Sequence, residues 1–103
     1  MARSVMVLPW VTRGHYGRLR EIATDAEILP QRYDQWLKRA EEFENNVHGG
    51  GIWTLRVYFD PEDFFRWAMA RGVRLDIHAR KRFCEEIAAQ RNAAEEGEAT
   101  EGT

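Results

Sequence analysis

Between residues 49 and 63 the chain carries three structural signals in immediate succession, and together they fix its organisation. Gly49, Gly50 and Gly51 supply the left-handed backbone that ends a helix. Residues 52–59 then alternate with the period of a strand: Trp53, Leu55, Val57 and Phe59 point one way, and Ile52, Thr54, Arg56 and Tyr58 the other. The first set is wholly apolar and the second amphipathic, so one face of a sheet is expected to be buried. Asp60 is a helix N-cap, Pro61 fits a first turn, and Glu62 and Asp63 suit the positive end of the following helix dipole. One strand cannot make a sheet. Its partner is either residues 5–8, β-prone and ended by Pro9, or the same strand of a second chain, because an open strand edge invites pairing.

Helices account for the remainder. Thr12 can cap a helix to about Thr24, with Tyr16, Leu19, Ile22 and Ala23 on one face and Gly14 and Gly17 weakening it. After Pro30, Tyr33, Trp36, Leu37, Ala40, Phe43 and Val47 recur at spacings of three and four, opposite Asp34, Lys38, Glu41, Glu42 and Asn45. Beyond Asp60 a third helix packs through Phe64, Phe65, Ala68 and Met69 and ends at Gly72. Asp76 caps a fourth, to about Gln90, packed through Ile77, Phe83, Cys84, Ile87 and Ala88. The expectation is an α+β fold of about four helices around a minimal sheet. Residues 1–91 form one domain and residues 92–103 an acidic, disordered tail.

At 103 residues there is room for a single domain. A chain of this size buries only about 60–65% of its unfolded surface, so self-association would add useful stability. The net charge of −2 conceals an asymmetry, because the last twelve residues hold four Glu and no base. The rest is close to neutral and makes no electrostatic case for nucleic acid. One cysteine, Cys84, excludes an internal disulfide and suggests a reducing compartment. The apolar residues before Pro9 are too few for a signal-peptide core, and no apolar run approaches a membrane span. A cytoplasmic location without membrane contact is expected.

The motifs that could carry chemistry are weak. Phosphate loops follow a strand and open a helix; here the glycines follow a helix, and the true strand-to-helix junction is acidic. Those acids are expected as caps rather than as a cation site, since no second acidic cluster completes a cage. His15, His48 and His78 lack zinc spacing; His15 flanks an apolar face, His48 suits a helix C-terminus, and His78 is expected in solvent. Cys84 sits on a buried stripe, which favours a structural role over a nucleophilic one. Neither a cofactor nor a metal is expected, and no catalytic residue is nominated.

One basic cluster, Arg71, Arg74, His78, Lys81 and Arg82, lies across two helices joined at Gly72, a helix-turn-helix-like arrangement. Against that reading, His78 and Lys81 fall where a recognition helix should pack inward. Lys81–Glu85 and Arg82–Glu86 also lie at i, i+4, where they would neutralise part of the patch. Two residues break the local pattern more sharply. Arg80 falls inside the apolar stripe of the last helix, so its guanidinium needs an acid such as Asp60 or Asp63, or a ligand. Trp67 widens the apolar arc of its helix, placing it under the N-terminal segment or in an interface.

Pro9-Trp10-Val11-Thr12-Arg13, Tyr33-Asp34-Gln35-Trp36-Leu37 and Asp60-Pro61-Glu62-Asp63-Phe64 form a set with Ala70-Arg71-Gly72 and the segment from Asp76 to Phe83. Over residues 7–90 this set resembles a group of short bacterial proteins without an assigned function. The shared strings are caps and core aromatics, so the resemblance implies a fold and no chemistry. The favoured expectation is a non-catalytic protein-interaction or assembly module. It would form homo-oligomers or bind another protein through Trp67, Arg80, Arg56 and Tyr58. The alternative is a nucleic-acid binder using the basic 71–82 surface.

Overall fold

The computed structural model describes residues 5–101, with side chains described as far as residue 93. The order is β1 (Val5–Trp10), α1 (Arg13–Ile22), a 3₁₀ turn (Ala26–Ile28), α2 (Tyr33–Gly49), β2 (Trp53–Tyr58), α3 (Pro61–Arg71) and α4 (Ile77–Glu101). This is an α+β fold: four helices and a two-stranded parallel sheet. β1 pairs with β2 in a register running from Val5 opposite Trp53 to Trp10 opposite Tyr58, and the Phe59 N–H continues it to the Trp10 carbonyl at 3.2 Å. The sheet is therefore made within one chain. Parallel strands need a long crossover, and α1 and α2 provide it.

The helix boundaries follow local chemistry. The Asp60 carboxylate accepts the Glu62 N–H at 2.9 Å, with Pro61 in the first turn of α3. At the far end Gly72 adopts φ 65°, its N–H reaching the Met69 carbonyl, while the Val73 N–H returns to that of Ala68. α2 stops the same way: Gly51 has φ 83°, its N–H bonds the His48 carbonyl, and Ile52 bonds Val47. α4 runs to Glu101, well past the expected stop near Gln90. The acidic tail expected at 92–103 lies largely outside the described side chains.

Two aromatic clusters form the two sides of the core. On the α3–α4 side Phe59, Phe64, Trp67 and Phe83 interlock with centroids 5.3–6.2 Å apart. Phe64, Val57 and Cys84 are completely buried there. Full burial of a side chain such as Phe64 is worth about 1.5–3 kcal/mol. On the α2 side Trp10 meets Trp36 edge-on at 5.4 Å, and Tyr16 and Tyr33 complete the group. The Tyr33 hydroxyl donates to the Val11 carbonyl at 2.9 Å, and the Tyr16 hydroxyl donates to that of Pro30.

Two expectations need correction. Trp53 and Leu55 were assigned to the buried sheet face with Val57 and Phe59, but they are 58% and 41% exposed. Helices α3 and α4 bury that face only toward the C-terminal ends of the strands. α2, the most periodic segment of the sequence, has no fully buried residue, and Phe43 is 51% exposed. Periodicity marks a face; it does not say what covers it.

Candidate functional site

Arg80 is the clearest polar feature of the interior. It is 5% exposed, and its guanidinium donates to both carboxylate oxygens of Asp25 at 2.8 and 3.1 Å. The partner is thus Asp25, not the Asp60 or Asp63 suggested by the sequence. Asp25 also accepts the Ile77 N–H at 2.8 Å, capping α4 from a distant part of the chain, while Asp76 accepts the Ala79 N–H at 3.0 Å. The Thr24 N–H adds a bond to the Leu75 carbonyl. Burial opposes ionisation of Asp25, but the hydrogen bonds and charge of Arg80, with the Ile77 amide, outweigh it and hold the carboxyl below its usual range. Arg80 is thus buried and engaged by Asp25, with one side on the cleft between β1, the 3₁₀ turn, α2 and α4.

The other proposed interface residues separate similarly. Trp67 stacks on Phe64 and leans on Phe83, and its indole N–H donates to Glu86 at 3.2 Å. It packs beneath α4, not beneath the N-terminal segment. Arg56 lies 4.0 Å over the Trp10 ring and makes a two-pronged bond to Glu44 at 2.7 and 2.8 Å. That bond ties β2 to α2 and lowers the Glu44 carboxyl pKa. Tyr58 alone of the four stands half in solvent.

Within the basic cluster, Arg71 and Arg82 stack on the Trp67 ring, at 4.6 and 5.7 Å, and both pair with Glu86. The i, i+4 pairing of Arg82 is realised at 3.7 Å. Arg74, His78 and Lys81 are exposed, so His78 and Lys81 do not pack inward as a recognition helix would require. His15, although it flanks an apolar face, is exposed as well, and His48 contacts the Thr54 hydroxyl. No cluster of three or more metal-binding side chains occurs among the described residues. Burial pushes the Cys84 thiol up to about 12, and its sulfur faces the Val57 carbonyl at 3.8 Å.

Two surfaces had no sequence signal. The first is the sheet face beside α4, where Val5, Val7, Trp53 and Leu55 adjoin Ala88 and Ala89 around an open groove. The strand register places Val5 beside Trp53 and Val7 beside Leu55, so these side chains form one patch. The second is a cleft between β1, the 3₁₀ turn, α2 and the start of α4. Both could have been suspected only from an apolar stripe too long for the elements available to cover it.

Among the described residues no helix is long and apolar enough to cross a membrane. The fold defines a small α+β protein with a minimal sheet and exposed apolar surface. No family model, curated protein or solved structure matches the chain.

Proposed function

We propose that this protein is a non-catalytic interaction module that associates with a second copy of itself through the sheet. The observation that carries this reading is the exposed apolar patch on paired strands, with Val5 54% and Leu55 41% in solvent beside Trp53. A two-stranded sheet offers its outer edge to another strand, and antiparallel pairing of β2 with its copy would join the two patches under a two-fold axis. The interface therefore centres on Leu55, Tyr58 and the β2 edge rather than on Trp67 and Arg80. A lone buried thiol suits the reducing cytoplasm, where we place the protein.

Sedimentation velocity across the micromolar range tests the reading. Concentration-dependent dimerisation, abolished by Leu55→Glu with an unchanged circular dichroism spectrum, is the expected result. A chain that stays monomeric throughout defeats the proposal. The nucleic-acid alternative relies on Arg74, His78 and Lys81, since Glu86 engages Arg71 and Arg82. It predicts steeply salt-dependent DNA binding weakened by Arg74→Glu.

A further inference from the structure

The cleft between β1, the 3₁₀ turn, α2 and α4 has a volume of about 320 Å³, at the lower end of the roughly 300–1,000 Å³ typical of small-molecule sites. Its walls are mainly apolar and aromatic, with Trp10 and Trp36 edge-to-face at the sheet side and Leu29, Phe43 and Ile77 around them. Ile28, Phe43 and Ile77 at its mouth are each about half exposed, so a large share of the molecule's exposed apolar surface gathers here. A ligand body lying in the cleft would cover it.

The charges of the lining are one-sided. Arg39 and Arg80 are its only ionisable residues, and no Asp or Glu lines it. Arg80 is neutralised by Asp25, whereas Arg39 has no hydrogen-bond or ion-pair partner among the described residues. Burial raises the Tyr16 phenol pKa, while the charges of Arg20, Arg39 and Arg80 pull it down, and the buried Arg20 Nε has no hydrogen-bond partner among the described residues. Within the lining itself two cations face no carboxylate, and Asp25 compensates Arg80 alone. An apolar cavity with a surplus cation on its wall complements a ligand with an apolar body and one anionic group.

The walls also discriminate against a peptide. An extended chain binds by adding hydrogen bonds to a strand, but Pro9, which lines the cleft, has no amide to give. A volume of about 320 Å³ is too small for a helix some 10 Å across.

We propose that this cleft binds a small amphipathic carboxylate, its aromatic or alkyl body against Trp10, Trp36 and Ile77 and its carboxylate on Arg39. The site is separate from the sheet face assigned to self-association.

The probe is naphthoate, with neutral naphthalenemethanol as its uncharged counterpart. Binding is followed by quenching of tryptophan fluorescence and by amide chemical-shift mapping on the intact chain. Saturable naphthoate binding is expected, with shifts centred on Trp10, Leu29, Trp36 and Ile77. Arg39→Ala should weaken naphthoate about tenfold or more, as the loss of one charge-assisted bond implies, and leave naphthalenemethanol unchanged. Arg39 is exposed and makes no hydrogen bond or ion pair among the described residues, so this variant is expected to retain the fold. Ala40→Phe, which fills the cleft, should remove binding of both probes.

Three results overturn the proposal: no saturation at millimolar naphthoate, equal affinity in Arg39→Ala, or shifts that map elsewhere. Probe-independent shifts of the cleft residues with protein concentration would do so too, since a second copy would then occupy the cleft.

Discussion

Removing the Asp25 carboxylate is the sharpest test of how this fold is held together. Asp25→Ala strands the Arg80 guanidinium, whose side chain is 6% exposed, and takes away both of its hydrogen bonds. Breaking a buried pair from one side costs about 3–5 kcal/mol, because the remaining charge is left without water or a counter-ion. The same substitution removes the acceptor for the Ile77 N–H, and a lost helix cap is worth about 1 kcal/mol. The two losses share one side chain and overlap, so a total of about 4 kcal/mol is expected. Against the roughly 5–15 kcal/mol of an ordinary domain this is a large fraction. Urea unfolding followed by circular dichroism should show a much lower midpoint at unchanged slope. The double variant Asp25→Ala/Arg80→Met removes the stranded charge and should recover most of the loss. A single variant within about 1 kcal/mol of the parent would refute the reasoning, for Arg80 could then not be a buried cation that depends on this acid.

The same pair sets an acid limit. Asp25 is held below its usual range in the folded state, so its contribution is complete above the unfolded value of about 3.9 and is lost as pH falls through the folded value. The stability gap between the parent and Asp25→Asn should therefore be full at neutral pH and shrink only in strong acid; a gap that is constant with pH would contradict this. Cys84, buried and raised to about 12, should resist a thiol reagent at pH 8 in the native state and react at the rate of unfolding. Immediate modification of the folded protein would show that its environment is not as described. Gly72→Ala should cost about 1–2 kcal/mol, since a Cβ there meets nothing within 4 Å and the penalty comes from φ 65° alone. Gly72→Asn should cost less, and equal midpoints for all three proteins would argue against the left-handed turn.

What the chain disclosed about itself was local. The Asp60 cap, the stops at Gly51 and Gly72 and the period of α2 are each decided within a few residues, and each is present in the fold. What it withheld was tertiary. Asp25 lies in a segment with no periodicity, and nothing in the vicinity of Arg80 points to it. Trp67 broke the expected arc because it packs against Phe83 and Glu86 of α4. Trp53 and Leu55 were placed on the correct side of the strand, but α4 runs beside them across an open groove and leaves them exposed. The cleft was invisible for the converse reason: apart from Arg39 and Arg80 its lining reads as ordinary core, and only the packing of distant elements brings these residues together.

Asp25 and Arg80 stand 55 positions apart, and that separation has a bearing on biogenesis. At a synthesis rate of about 5–20 residues per second, the acid waits several seconds for its cation to be made. The neighbouring strand β2 is made in the meantime, but the opening strand and the helix after it still lack this clasp and the last helix. Tertiary order in the first half should therefore be completed only as the last helix begins, when Arg80 meets Asp25.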